Sequence, residues 1–93
     1  MFKIGILGLG YVGLPLAIEF GKKYQVIGYD KKAKRINELK SYYDKNFDID
    51  KKEFLKSKKL NFTNNLNHIK LCNIFIITVP TPVTKKKYLI LGI

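Results

Sequence analysis

The sequence predicts an α/β fold in which a parallel sheet of about four strands is flanked by helices. Two observations predict this fold class. Short apolar runs of strand length alternate with amphipathic stretches of helical spacing, and a glycine-rich turn directly follows the first run. Apolar runs that alternate with helices are typical of βαβ units, whose strands lie parallel in one sheet. We therefore expect the strand order 3-2-1-4, with the helices on the faces of the sheet.

Each element is justified by its own residues. The apolar and β-branched run at the start is typical of a buried parallel strand, and the last run breaks at two prolines. The order is strand, helix, strand, helix, loop with a short helix, strand, short helical segment and strand, over residues 2–7, 11–23, 24–30, 31–43, 44–59, 60–63, 64–71 and 72–79.

Helical spacing predicts which face of each helix is buried. For the first helix, which ends near Gly21, the predicted face carries Val12, Leu16, Ala17 and Phe20. For the second helix it carries Ala33, Ile36, Leu39 and Lys40. In the loop that follows, we expect Asp50 to cap a short helix and Glu53 to complete a capping box.

The chain is strongly basic, with a formal net charge of +11 from 18 Lys and Arg residues against 7 Asp and Glu residues. Such a charge attracts polyanions at low salt, which keeps a small nucleic-acid-binding protein as one alternative. However, only one of the basic residues is Arg, and no stretch combines basic and aromatic residues at an RNA-binding spacing. We therefore expect solvated surface lysines and no specific nucleic-acid partner.

One cysteine, Cys72, excludes an internal disulfide and a cysteine-based zinc cluster. The longest apolar run, IFIITV, is too short to span a bilayer, and glycines interrupt the apolar start where a signal peptide needs a continuous run. These observations predict a cytoplasmic protein with no membrane segment and no metal site. We interpret Cys72 as a small buried hydrophobe and His68 as a surface histidine, so neither is a candidate catalytic residue.

The glycines of GLGYVG match the GxGxxG pattern of dinucleotide-binding proteins, and they lie between a predicted strand and a predicted helix. Gly8 permits the tight turn, Gly10 lets the backbone approach a pyrophosphate, and Gly13 lets the helix pack close to the sheet. Asp30, at the end of the second strand, is placed to accept hydrogen bonds from the adenosine ribose. The pattern predicts part of a Rossmann fold that binds NAD, and the Asp30 carboxylate disfavours the 2′-phosphate of NADP.

The stretches GLGYVGLPLA, VIGYD and ITVPTPV resemble the UDP-glucose/GDP-mannose dehydrogenase family, and most of all its branch acting on UDP-N-acetylhexosamines. The resemblance covers residues 1–83. It implies an NAD-dependent enzyme that oxidises the sugar C6 alcohol to a carboxylate in two steps, for capsule, lipopolysaccharide and related polysaccharides. It also implies cofactor contacts from Gly10, Tyr11, Val12, Asp30, Arg35 and Thr81.

Members of this family are much longer than this chain, and the resemblance places their UDP-sugar domain and catalytic residues beyond Ile93. It implies homo-oligomers for the intact relatives. We therefore expect residues 1–84 to be an NAD-binding half-domain that lacks catalytic residues and leaves an exposed apolar edge on strand four. A free-standing dinucleotide-binding regulator is the other alternative.

Residues 85–93 depart from the family pattern. A reading frame displaced by two bases over Tyr88–Gly92 can encode Pro-Asp-Leu-Arg, which resembles the family's continuation, and the preceding lysines imply an adenine tract prone to slippage. We hypothesise that this apolar tail is out of frame and that the chain is a truncated dehydrogenase.

Overall fold

The computed structural model describes residues 2–44, 49–78 and 89–92, the last range as backbone only. Strands and helices alternate through the first two ranges. The elements are β1 (Lys3–Leu7), α1 (Gly13–Gly21), β2 (Gln25–Tyr29), α2 (Ala33–Lys40), α3 (Lys51–Lys56), β3 (Leu60–Thr63), α4 (Leu66–Ile69), β4 (Ile74–Ile77) and β5 (Leu89–Gly92).

The strands form one sheet in the order β3-β2-β1-β4-β5. The pairs β1–β2, β1–β4 and β2–β3 are parallel, which confirms the predicted four-strand order 3-2-1-4. The register aligns the last residues of three strands, because Leu7 pairs with both Tyr29 and Ile77. The carboxyl ends of the parallel strands therefore meet at a common rim.

The fifth strand corrects an expectation about the edge of the sheet. β5 pairs antiparallel with β4, with Leu89 opposite Ile77 and Gly92 opposite Ile74. The expectation that strand four presents an exposed edge is therefore wrong. The reason is that an edge strand offers a row of unpaired N–H and C=O groups, and a short β-forming segment satisfies them wherever the chain can reach.

The core lies between the sheet and the helices. Fully buried side chains come from every layer, including β1, the glycine turn, α1, β2 and α2, and the largest are Ile6, Leu9, Leu14, Ile36, Leu39 and Val26. Each such side chain stabilises the fold by about 1.5–3 kcal/mol relative to an exposed position. Leu9 belongs to the glycine turn itself, so the turn is anchored in the core.

The predicted face of α1 is only partly right. Its buried residues are Gly13, Leu14, Ala17, Ile18 and Gly21, whereas Leu16 and Phe20 are half-buried. Two glycines lie on this buried face. A Cβ on Gly13 would overlap the Gly8 carbonyl oxygen, and a Cβ on Gly21 would overlap the Ser57 hydroxyl. The helix therefore packs closely on this face at both of its ends.

The predicted face of α2 is also only partly right: Ile36 and Leu39 are buried as predicted, whereas Ala33 and Lys40 are exposed and Arg35 is buried instead. The predicted capping box is wrong. On α3, Asp50 occupies the N-cap position but makes no side-chain capping bond.

The capping box on α3 does not form because the Glu53 carboxylate has other partners. Its two oxygens accept hydrogen bonds from the ammonium groups of Lys22 at 2.9 Å and Lys56 at 3.3 Å. Both oxygens of this carboxylate are therefore bonded to ammonium groups, which carry a full positive charge that a backbone N–H lacks.

Candidate cofactor site

The rim at the carboxyl ends of β1, β2 and β4 carries most of the sequence-predicted site. The glycine turn follows β1, Asp30 follows β2, and Thr78 follows β4. Because β1 lies between β2 and β4 and is in register with both, Asp30 and Thr78 each contact the glycine turn between them. In open α/β sheets, ligands bind at this end of the strands.

Gly8 begins the turn in a conformation that other residues rarely adopt, with φ at +98°. Its N–H donates to the Tyr29 carbonyl at 2.8 Å, and its carbonyl accepts from the Thr78 hydroxyl at 2.6 Å. A Cβ at this position would overlap the Thr78 carbonyl oxygen. Gly8 is therefore required both by its positive φ and by the close approach of β4.

Gly13 completes a tightly packed contact between the start of α1 and the end of β4. A Cβ on Gly13 would lie 2.5 Å from the Thr78 hydroxyl oxygen, in addition to overlapping Gly8. This is the close helix–sheet packing predicted for the third glycine of the motif. The packing directs the amino end of α1 at the rim.

Gly10 differs from its two neighbours in the motif because it faces open space. A Cβ built on Gly10 meets no atom within 4 Å in the described structure. None of the described residues accepts a hydrogen bond from the backbone N–H of Gly10 or of Val12. Unpaired amides at a helix amino end attract anions, since the helix dipole adds partial positive charge there.

Asp30 holds the other side of the turn. Its Oδ2 accepts a hydrogen bond from the Leu9 N–H at 3.2 Å, and its Oδ1 accepts from the Lys32 N–H at 3.0 Å. The carboxylate is half-buried, so part of it faces solvent at the rim. The two backbone bonds fix its orientation and leave acceptor capacity on both oxygens for a ribose.

Arg35 reaches the turn from α2, and its side chain lies below the rim. Its Nε and Nη2 both donate to the Leu9 carbonyl, at 3.0 and 2.8 Å. Its Nη1 donates to Asp44 Oδ1 at 3.0 Å, and only 10% of the Arg35 side chain is exposed. The predicted cofactor residue therefore contacts the glycine turn itself.

The remaining predicted residues occupy different positions. Tyr11 projects from the turn and is 79% exposed, and Val12 is the N-cap of α1 without a side-chain capping bond. Thr81 lies outside the described residues. Sequence reasoning missed Thr78 and Asp44, although the polar residue directly after a buried strand marks Thr78. No local signal marks Asp44.

Cys72 and His68 lie away from the glycine turn. Cys72 is buried before β4 and contacts the region around Gly5, and burial raises the pKa of its thiol. These features agree with its interpretation as a buried hydrophobe. His68 is exposed on α4, and its Nδ1 lies 2.6 Å from the hydroxyl of Thr63.

Two other classes of site are absent from the ranges that the structure describes. Within those ranges, no three His, Cys, Asp or Glu side chains come together as metal ligands. No helix there has the length and apolarity needed to cross a bilayer.

A parallel sheet with a glycine turn open over Gly10 and a carboxylate at the end of the neighbouring strand defines a dinucleotide-binding domain of the Rossmann type. Residues 2–91 match the NAD binding domain of the UDP-glucose/GDP-mannose dehydrogenase family. The chain therefore belongs to this family, and NAD is the cofactor of the domain, as predicted.

Relatives and solved structures agree with this assignment. The chain is 53% identical to UDP-N-acetyl-D-glucosamine 6-dehydrogenase from Salmonella typhi and 48% identical to that from Pseudomonas aeruginosa, in each case over 91% of this chain and 20% of the relative. The structure of UDP-D-ManNAc dehydrogenase from Pyrococcus horikoshii superposes with a TM-score of 0.76 at 38% identity, over 88% of this chain and 21% of that one. The chain thus spans about a fifth of these relatives' length.

Proposed function

We propose that this chain supplies the NAD-binding part of a nucleotide-sugar 6-dehydrogenase that acts on a UDP-N-acetylhexosamine. In the complete reaction, the C6 primary alcohol becomes a carboxylate, water supplies the second oxygen, and two NAD molecules each accept a hydride. The product would serve surface polysaccharide synthesis, such as capsule or lipopolysaccharide, in the cytoplasm. The intact enzyme would be a homo-oligomer.

The observation that carries the proposal is the open, polar surface above the glycine turn. The space over Gly10 is empty, the amides of Gly10 and Val12 lack partners among the described residues, and the Asp30 carboxylate lies at the adjacent strand end. A pyrophosphate needs the amides, and an adenosine ribose needs the carboxylate. The residues present therefore fit NAD.

We assign the site residues by these roles. Backbone groups of the turn bind the pyrophosphate, Asp30 binds the ribose, and Arg35 acts on the turn through the Leu9 carbonyl. Thr81 is assigned to the site from the family resemblance alone. The complete set is Gly8, Gly10, Tyr11, Val12, Gly13, Asp30, Arg35 and Thr81.

The substrate class is supported by the names of the relatives at 53% and 48% identity. We place no catalytic group in this chain, since Cys72 is buried beside Gly5 and away from the glycine turn. The chain alone is therefore expected to bind NAD without oxidising a UDP-sugar.

Calorimetric titration of the 93-residue chain with NAD and with NADP tests the proposal. We expect NAD to bind more tightly than NADP. The Asp30→Asn substitution should weaken NAD binding about tenfold or more, and it should reduce the difference between the affinities for NAD and for NADP. Mixing the chain with NAD and a UDP-N-acetylhexosamine should produce no NADH absorbance. A wild-type chain that binds neither cofactor would refute the proposal.

A free-standing dinucleotide-binding regulator is the second candidate, and the β4–β5 pairing is the observation that favours it. β5 covers the edge of β4, which otherwise favours aggregation. A regulator should be monodisperse and unfold cooperatively without a partner, and NAD should raise its Tm. Aggregation of the purified chain would contradict the regulator and would favour the interpretation of the chain as one part of a dehydrogenase.

The division of the chain at residue 85 remains a proposal of its own. If residues 85–93 are out of frame, the nucleotide sequence after the Ile93 codon will encode dehydrogenase sequence in a displaced frame. If no frame encodes such sequence, the frameshift hypothesis is wrong. The assignment of NAD to residues 2–91 does not depend on this result.

A further inference from the structure

Asp44 has no role in any motif of the sequence, yet its side chain is fully buried and carries a charge. It follows α2, and its Oδ1 accepts the hydrogen bond from Arg35 Nη1 at 3.0 Å. Within the described part of the chain, its Oδ2 has no hydrogen-bond partner. A carboxylate buried with one oxygen unsatisfied is costly, and its one described side-chain partner is the buried guanidinium of Arg35.

What Asp44 orients is the guanidinium plane of Arg35. A planar guanidinium has donors in fixed directions, and with Nη1 on Asp44, the Nε and Nη2 groups both meet the Leu9 carbonyl. A lysine has no such fork and would bind only one of the two acceptors well. The Asp44–Arg35 pair therefore fixes the Leu9 carbonyl of the glycine turn from the side of α2, a contact that we call the clamp.

The clamp matters because of the geometry of a peptide unit. The Leu9 carbonyl and the Gly10 N–H belong to the same planar unit, and no peptide bond in the described structure is cis. In a trans unit the C=O and the N–H point in opposite directions. When Arg35 holds the Leu9 carbonyl toward α2, the Gly10 N–H is turned toward the open space above the turn.

We propose that Asp44 is a positioning residue for the cofactor pyrophosphate. It holds Arg35, Arg35 holds the Leu9 carbonyl, and the Leu9–Gly10 peptide plane then presents its N–H to the ligand. This inference rests on the proposed NAD binding and adds to it a residue outside the motif. Asp44 itself touches no cofactor atom; it acts through Arg35.

The test compares a ligand with phosphates and one without. Full-length wild-type chain, Asp44→Asn, Asp44→Ala and Arg35→Lys are titrated with ADP and with adenosine, and backbone amide resonances are followed by NMR. We expect ADP to bind about tenfold more weakly to Asp44→Ala and Arg35→Lys, and Asp44→Asn to show a smaller loss. Adenosine affinity should stay within about twofold of wild type, because adenosine lacks the groups that meet the Gly10 amide.

Glu53→Gln is the matched control, since it also replaces a carboxylate that is paired with basic side chains. Glu53 contacts Lys22 and Lys56 on the α1–α3 side and not the glycine turn. The affinity of the Glu53→Gln variant for ADP and for adenosine should equal that of the wild-type chain. Thermal unfolding of every variant separates a loss of binding from a loss of folded protein.

Three results would overturn the inference. The first is wild-type ADP affinity in folded Asp44→Ala and Arg35→Lys. The second is an equal loss for adenosine and ADP, which indicates a general structural role. The third is a Gly10 amide resonance of the wild-type chain that shifts no more with ADP than with adenosine. This result can be obtained even if the variants do not fold. In all three cases the wild-type chain still binds NAD, so the proposed function stands; a wild-type chain that binds neither ADP nor NAD refutes that function together with this inference.

Discussion

The rim at the glycine turn and the contact between α1 and α3 share two structural features but differ in the surface that results. In both, a hydroxyl binds a backbone carbonyl, from Thr78 to Gly8 at 2.6 Å and from Ser57 to Ile18 at 2.7 Å. In both, a helical glycine permits close packing, Gly13 at the rim and Gly21 at the contact.

The difference lies in what remains unpaired. The α1–α3 contact finishes in salt bridges, with Lys22 Nζ 2.9 Å from carboxylate oxygens of both Glu19 and Glu53. At the rim, the amides of Gly10 and Val12 have no partner among the described residues, and the space beside the Gly10 Cα is open. Tight packing by itself indicates stability; tight packing that leaves backbone donors exposed indicates a binding site.

The largest expected effect comes from adding a methyl group at the rim. Gly13→Ala forces a Cβ into the Gly8 carbonyl, and we expect a loss of about 2–4 kcal/mol in the free energy of unfolding together with loss of NAD binding. Gly10→Ala is the matched control, because its Cβ meets open space. It should weaken NAD binding by blocking the pyrophosphate while changing urea stability little. Equal destabilisation by both variants would contradict this distinction.

The two hydroxyl contacts should give a smaller and matched pair of effects. Thr78→Val and Ser57→Ala each remove a hydrogen bond to a backbone carbonyl, and each should cost about 1–2 kcal/mol of unfolding free energy. Only Thr78→Val should also weaken NAD binding, since Thr78 holds Gly8 within the turn. Calorimetry and urea unfolding measure the two quantities. A loss of NAD affinity in folded Ser57→Ala would remove the functional difference between the two regions.

The smallest effect concerns pH and the α1–α3 salt bridges. Hydrogen bonds from Lys22 and Lys56 lower the pKa of Glu53 in the folded chain. A lowered carboxyl pKa contributes stability above its unfolded value, and this contribution is lost as the pH falls through the folded value. Lys56 is exposed, and the Lys22 and Glu53 side chains are only half-buried, so the effect should be small and should shrink in high salt.

Unfolding midpoints measured from roughly pH 7 down to roughly pH 3 check this expectation. Glu53→Gln should lose less stability than wild type over that interval, because it lacks the titrating group. An identical pH dependence of the two proteins would mean that the salt bridge contributes nothing. NAD affinity at neutral pH should be the same in both.

Local pattern predicted much of the fold and part of the site. The apolar runs predicted all four parallel strands, and the glycine spacing predicted the turn before α1. The same pattern misjudged α2, where Arg35 is buried and Ala33 is exposed. Periodicity ranks residues by hydrophobicity, so it cannot recognise a charged side chain whose burial depends on an acid elsewhere in the chain.

The sequence by itself determined the α/β class, the strand order, the positions of Gly8, Gly10, Gly13 and Asp30 in a dinucleotide motif, and the family. These properties follow from residues close together in the chain. Only the tertiary structure decided how the turn is held and how β4 is covered. Thr78 and Gly8 are 70 residues apart and Arg35 and Leu9 are 26 apart, and such hydrogen bonds exist only once parallel strands bring their carboxyl ends to one rim.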